Sequence, residues 1–316
     1  MAACRMTENV LQHQPVLLAE VIAGLGIKSE GVYVDATFGR GGHAQSILSQ
    51  LSPTGRLLAM DKDQQAIDYA CQFFNDPRFT IQQGSFAGLA EFVKQQGLYG
   101  KVDGILCDLG VSSPQLDDPE RGFSFMRAGK LDMRMDTSRG MDAATWLASV
   151  SAEELARVFW EYGEERYSRR IARAVINARD EMPITTTDRL AEVIAKAHPA
   201  WEKGKNPATR CFQAIRILIN QELDDLKKML VQSVDVLKIG GRLLVISFHS
   251  LEDRVVKHFI QQEERGEKLP AKLPVKNTAF PSRLKRLGRA IKPGVAEIAR
   301  NPRARSAVLR IAEKLS

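Results

Sequence analysis

The first third of the chain alternates short apolar runs with stretches of helical periodicity. Val32-Tyr33-Val34 reads as a strand, followed by a glycine turn and a helix beginning near His43. Leu57-Leu58-Ala59-Met60 is a second strand with a helix over Gln64–Phe74. Phe79–Gln82 is a third, with a helix after Phe86. Val102–Cys107 is a fourth, bounded by Gly100 and Gly110. Strands that alternate with helices predict βαβ units and a parallel sheet covered on both faces.

From about Ser112 to Arg210 the strand pattern stops. Ser151-Ala-Glu-Glu154 is a capping box, and Leu155, Val158, Phe159 and Tyr162 follow on one helical face. Ile171, Ala174, Val175 and Ala178 repeat the spacing, as do Leu190, Val193, Ile194 and Ala197. A long helical stretch carrying Phe212, Ile215, Ile219, Leu223, Leu226 and Leu230 then runs to Gly240-Gly241, which suit a helix C-cap and turn. Leu243-Leu244-Val245-Ile246 resumes the buried-strand pattern, and Ser306–Ile311 suits a last strand. The α/β pattern is thus interrupted and resumed. It predicts a discontinuous Rossmann-like sheet domain, residues 1–112 and 211–316, with an all-helical domain inserted over 113–210. No internal repeat is visible, and Gln262–Pro281 reads as an exposed loop.

Composition narrows the function classes. A chain of 316 residues with 44% hydrophobic residues can build real cores, which excludes a disordered polymer or a disulfide-stapled miniature. The four cysteines are too far apart for a zinc knuckle or a redox dithiol, so no metal is expected. No apolar run reaches a membrane span and no secretory h-region is visible, so a cytoplasmic protein is expected. The net charge is +7, and its distribution matters more than its size. Between Pro281 and Arg310 nine basic residues face Glu297 alone, more than the whole chain's surplus. Such a stretch suits a polyanion, or is simply a solvated face.

The densest motif is Val34-Asp-Ala-Thr-Phe-Gly-Arg-Gly-Gly-His-Ala44. Gly39, Gly41 and Gly42 fall where a strand must turn sharply into a helix. Asp61 ends the next strand, the place for a carboxylate on ribose hydroxyls. Gly39, Gly41 and Ala44 also satisfy a dinucleotide fingerprint, but Asp35 beside a pyrophosphate would be repelled. Beside the amino group of a methionine moiety it would be attracted, so the charges favour S-adenosylmethionine over NAD. Asp108, Ser112, Ser113, Pro114 and Gln115 follow the fourth strand at the carboxyl edge, where open α/β sheets bind ligands. There they could hold a planar base and its exocyclic amine, or simply form a turn into the insertion.

With those residues in view the chain resembles the bacterial small-subunit (16S) rRNA cytosine-N4 methyltransferases, the RsmH or MraW family. The matching stretches are Thr37-Phe-Gly-Arg-Gly-Gly-His43, Asp108-Leu-Gly-Val-Ser-Ser-Pro-Gln-Leu-Asp117, Arg121-Gly-Phe-Ser-Phe125, Leu131-Asp-Met-Arg-Met135, Tyr162-Gly-Glu-Glu-Arg166, Ser247-Phe-His-Ser-Leu-Glu-Asp-Arg254 and Asn301-Pro-Arg-Ala-Arg-Ser306. They run in order through nearly the whole chain. The resemblance implies a methyltransferase sheet domain binding S-adenosylmethionine, a helical domain for substrate recognition, and transfer to N4 of a cytidine in the decoding region of the small subunit's rRNA. Carried over by motif, the cofactor contacts are Gly41, Gly42 and His43, with Asp61 on the ribose, Phe86 near the adenine, and Asp108 and Gln115 completing the pocket. No single residue is singled out as the proton acceptor, and the oligomeric state, monomer or homodimer, stays open.

His249 is a candidate substrate contact or a helix-entry residue, and Ser250-Leu-Glu-Asp253 reads as a capping box. Arg166, Arg169, Arg170 and Arg173 could face RNA or solvent. Three other function classes compete. A nicotinamide oxidoreductase would need a proton-relay motif that is not visible, a vestigial RNA-binding factor would not need the intact acids, and a small-molecule methyltransferase would not need the basic stretch.

Overall fold

The computed structural model describes residues 15–200, 206–266 and 281–316. Seven strands form one sheet: β1 (Val32–Asp35), β2 (Arg56–Asp61), β3 (Phe79–Gln83), β4 (Val102–Asp108), β5 (Leu237–Ser247), β6 (Leu284–Arg286) and β7 (Val308–Lys314), in the order β3-β2-β1-β4-β5-β7-β6. The first five run parallel, whereas β7 is antiparallel to both β5 and β6. β1, β2, β4 and β5 bury both faces, which is why their apolar runs are continuous, whereas the edge strand β3 is only partly buried. Val34, Leu58, Met60, Ile105 and Val245 enter one core. Tyr33, Leu57, Ala59, Leu106 and Leu244 enter the other. β1 is followed in space by β2 on one side and β4 on the other, so the strand order reverses at the β1–β4 pair. The crevice at the carboxyl ends of such a pair is where doubly wound sheets place ligands.

The chain divides into two units. One is the sheet unit, up to Gly110 and again over Asp225–Ser316; the other covers Val111–Asp224. The second is helical: Ala143–Ser149, Ala152–Glu161, Ser168–Glu181, Thr187–Ala197 and Ala208–Asn220 surround a core of Leu147, Leu155, Phe159, Ile171, Leu190 and Phe212. Ser151 caps its helix, its side chain accepting from Glu154 N–H, but the expected box is only half made, since the Glu154 carboxylate is taken up by Arg157. The return to the sheet unit falls at 224/225, not at the 210/211 junction expected above. Cys211, Phe212, Ala214 and Ile215 are buried in the helical core, which keeps Ala208–Asn220 there.

The long helical stretch is two helices, Ala208–Asn220 and Glu222–Val236, broken at Gln221 with φ 53°. Gly240-Gly241 is not a C-cap either. The second helix ends at Val236 and β5 begins at once, the glycine pair lying where pairing with β4 shifts register between Val102 and Gly104. Most of the expected Gln262–Pro281 loop lies outside the described residues, and its first turn is helical, within Ser250–Arg265. Among the described residues no helix is long and apolar enough to cross a membrane.

Candidate active site

Three adjacent strands end in carboxylates: Asp61 on β2, Asp35 on β1 and Asp108 on β4. Register places Asp35 beside Ala59 and Leu106, so Asp61 and Asp108 each project two residues further along their strands. The turn after β1 is fastened to this edge. Thr37 N–H donates to Asp35 Oδ1 at 3.1 Å, and Asp108 N–H donates to Thr37 Oγ1 at 2.6 Å. Asp61 Oδ2 accepts from Gly39 N–H at 2.7 Å while its Oδ1 accepts from Asp63 N–H at 2.9 Å. A carboxylate has about four lone-pair sites, so Asp61 keeps acceptor capacity beyond these two bonds.

Burial shifts Asp35 and Asp61. Asp35, 1% exposed, is pushed up to about 7 by desolvation, opposed by His43 and the Thr37 N–H and reinforced by the Asp108 and Asp61 charges. Asp61 rises to about 6, again mainly by desolvation. His43, at the start of the helix Gly42–Leu48, is buried with neither ring nitrogen hydrogen-bonded among the described residues. Its Nε2 lies 3.6 Å from Asp108 Oδ2, and Asp108 Oδ1 is likewise buried without a partner. Buried polar atoms without protein partners are uncommon in folded proteins, and these suit a polar ligand.

The glycines divide by role. A Cβ on Gly41 would come within 2.3 Å of the Phe74 ring and 2.7 Å of Phe38, and one on Gly42 within 2.3 Å of Pro15. Those two are required by packing, and Gly41 also by its φ of 71°. Gly39, with φ 56°, has nothing within 4 Å of its Cβ position, so the open approach to the turn is there. The expected contacts Gly41 and Gly42 therefore offer a ligand backbone groups, not an open face.

Phe86 follows β3 in a short 3₁₀ turn, Phe86–Gly88, half-buried against the core that carries Leu89 and Phe92. Lys62 Nζ lies 5.9 Å from its ring centroid and pairs with Asp225 at 2.6 Å, and Ser85 Oγ is 2.6 Å from the same carboxylate. This constellation was not foreseen, because Asp225 is 140 residues from Ser85 and no local pattern links them. Gln115 belongs to the helical unit. It is buried in the short helix Ser113–Asp117, where its Oε1 accepts from Ser112 N–H at 2.8 Å.

Two further residues at the edge stood inside quoted motifs without a role: Thr37, which ties β1 to β4, and Ser247, the buried last residue of β5 whose Oγ has no partner. The capping box near β5 is shifted by one residue from its expected place. His249 is the N-cap, its side chain accepting from Glu252 N–H while Glu252 accepts from His249 N–H. Asp253 instead holds Arg310 through two bonds, of 2.7 and 2.9 Å. The basic stretch is partly neutralised in the same way, since Arg283 is held by Glu263 at 2.6 and 2.8 Å.

A glycine turn after β1, acids ending three neighbouring strands and a switch point between them define a nucleoside-cofactor-binding α/β enzyme. The converging negative charge suits a cationic ligand and would repel a pyrophosphate. The chain belongs to the MraW methylase family, whose model matches residues 10–315. It is 56% identical over 306 residues to a protein of Legionella pneumophila (strain Paris) named ribosomal RNA small subunit methyltransferase H, covering 96% of this chain and 99% of that one. A protein of the same name from Coxiella burnetii (strain RSA 331 / Henzerling II) is 55% identical over 305 residues, with 96% and 99% covered. The protein is a methyltransferase and S-adenosylmethionine is its cofactor. The residues at the carboxyl edge suit that group: open space at Gly39, acids for a cationic ligand, and polar atoms of His43 and Asp108 awaiting partners.

Proposed function

We propose that the protein transfers a methyl group from S-adenosylmethionine to N4 of a cytidine in the decoding region of small-subunit (16S) ribosomal RNA, acting on the small ribosomal subunit in the cytoplasm. The observation that carries this reading is the near full-length similarity to proteins named ribosomal RNA small subunit methyltransferase H. The cytidine N4 target goes beyond those names and rests on the motif resemblance.

In this reading Asp61 accepts hydrogen bonds from the ribose, and the backbone of Gly41 and Gly42 and the ring of His43 line the turn. Phe86 lies by the adenine, Asp108 and Gln115 complete the pocket, and Asp35 supplies negative charge for the amino-acid moiety. The bound cofactor supplies a methyl group on a cationic sulfonium. The cytosine amine is a poor nucleophile because its lone pair is delocalised into the ring. The Asp108 carboxylate, whose side chain is 24% exposed at the end of β4, accepts an amine hydrogen and favours a pyramidal nitrogen whose lone pair points out of the ring. Rate enhancement then comes mainly from positioning and preorganised charge. The cytidine must leave its stack to reach the edge, which suits an unpaired position. The 113–210 region, extended by the helix to Asn220, serves substrate recognition.

The test is transfer from labelled S-adenosylmethionine to undermethylated small subunits, read by nucleoside mass spectrometry. N4-methylcytidine is the expected product, with single-turnover rates in Asp108→Asn lower by about two orders of magnitude. Methylation at another base, or none despite cofactor binding, overturns the assignment.

A further inference from the structure

We infer that the hollow between the helix Ser250–Arg265 and the β6–β7 pair is a phosphodiester-binding site that grips the RNA strand beside the methyl-transfer edge. The inference rests on the RNA substrate proposed above and adds where its backbone is held. The hollow is lined by four cations, Lys257, Arg286, Arg289 and Arg310, and by no acid among the described residues.

Two of the four cations have carboxylate neighbours. Asp253, Lys257, Ile260 and Glu264 follow one another at helical spacing and share a face. Asp253, at one end, takes up Arg310 bidentately. Glu264, at the other end, lies 3.9 Å from Arg286 Nη2 and accepts from its backbone N–H at 3.4 Å. Lys257 stands between these pairs with no carboxylate partner among the described residues, and so does Arg289 across the hollow. The N–H groups of Gly288, Arg289 and Ala290 make no hydrogen bond to the described protein either, the turn being closed by Leu287 N–H to Ile311 and Ile291 N–H to Leu309. Two uncompensated cations and a run of free backbone donors in one concavity match a phosphate group.

Register places this site at the functional edge. Ile291 bridges Leu309, which pairs with Ile246, the residue before the last of β5. β7 lies two strand spacings from β4 and the turn carrying Arg289 one spacing beyond it, about 15 Å in all, so a strand delivering its base to Asp108 comes within reach of Arg289 by a phosphate a few nucleotides along.

The double variant Lys257→Ala/Arg289→Ala tests this, because neither residue holds an ion pair and the fold loses none. Unfolding temperature and S-adenosylmethionine affinity should match the wild type. Binding to undermethylated small subunits should show a log K against log salt slope shallower by about 0.7 per lost contact. KM for the subunits should rise several-fold with kcat unchanged, and Lys257→Arg/Arg289→Lys should restore both. An unchanged slope and KM in the double variant overturn the site while leaving the function intact. A wild type that methylates no small subunit overturns the function instead, and the salt slope still reports on the site. Should the double variant unfold early, Lys257→Ala alone, on an exposed helix face, gives the same readout at half the slope change.

Discussion

Asp35 is a carboxyl group held at about 7 and Asp61 one held at about 6, both because burial penalises the charged form. Both folded-state values lie above the ordinary carboxylate value, so the folded protein binds protons that the unfolded chain has released. The stability they contribute is fully present below about pH 4 and is lost as pH rises through 6 to 7. Unfolding of the ligand-free protein should therefore become easier across that window, and Asp35→Asn should flatten the dependence in urea titrations at a series of pH values. A cationic ligand reverses the preference by favouring the ionised acids. Binding of S-adenosylmethionine should then tighten as pH rises through 6 to 7 and release protons. Calorimetry in two buffers of different ionisation heat measures that release, and a value in Asp35→Asn equal to wild type would remove Asp35 from the cofactor's surroundings.

Among the elements, the helix Ala208–Asn220 shows what sequence periodicity misses. Its apolar face was legible, but the break at Gln221 was not, since neither glycine nor proline marks it. The break follows Asn220, whose Nδ2 donates to Met133 and Arg216 carbonyls at 2.7 and 2.9 Å and whose Oδ1 accepts from Met135 N–H at 2.7 Å. These bonds tie the 131–135 segment to the helix. Asn220→Ala leaves buried backbone groups unpaired and should cost the helical unit about 2–3 kcal/mol, read as a lower midpoint in chemical unfolding. A loss under about 0.5 kcal/mol would mean that the segment is held by its apolar contacts instead. The box at His249 failed in a related way. Ser250 and Asp253 fit the usual pattern, but Asp253 is drawn to Arg310 on β7, a partner far away in sequence.

For the whole molecule, S-adenosylmethionine at a hundred times its dissociation constant should raise unfolding free energy by about 2.7 kcal/mol. Hydrogen exchange locates the contacts: slowed amides are expected around 37–43, 61–63, 84–87 and 108–115. Protection everywhere except around Gln115 would remove that residue from the pocket.

The sequence by itself determined the parallel strands, the glycine turn, the acids at the strand ends and the family. Each of these is a local pattern whose period or turn chemistry is set by neighbouring residues. Tertiary structure alone decided the rest. It set the return to the sheet at 224/225, the unpartnered His43 and Asp108 atoms, the Lys62–Asp225–Ser85 contact, and which cations between Pro281 and Arg310 remain free. Burial, ion pairing and leftover charge depend on groups distant in the chain, and only folding brings those together.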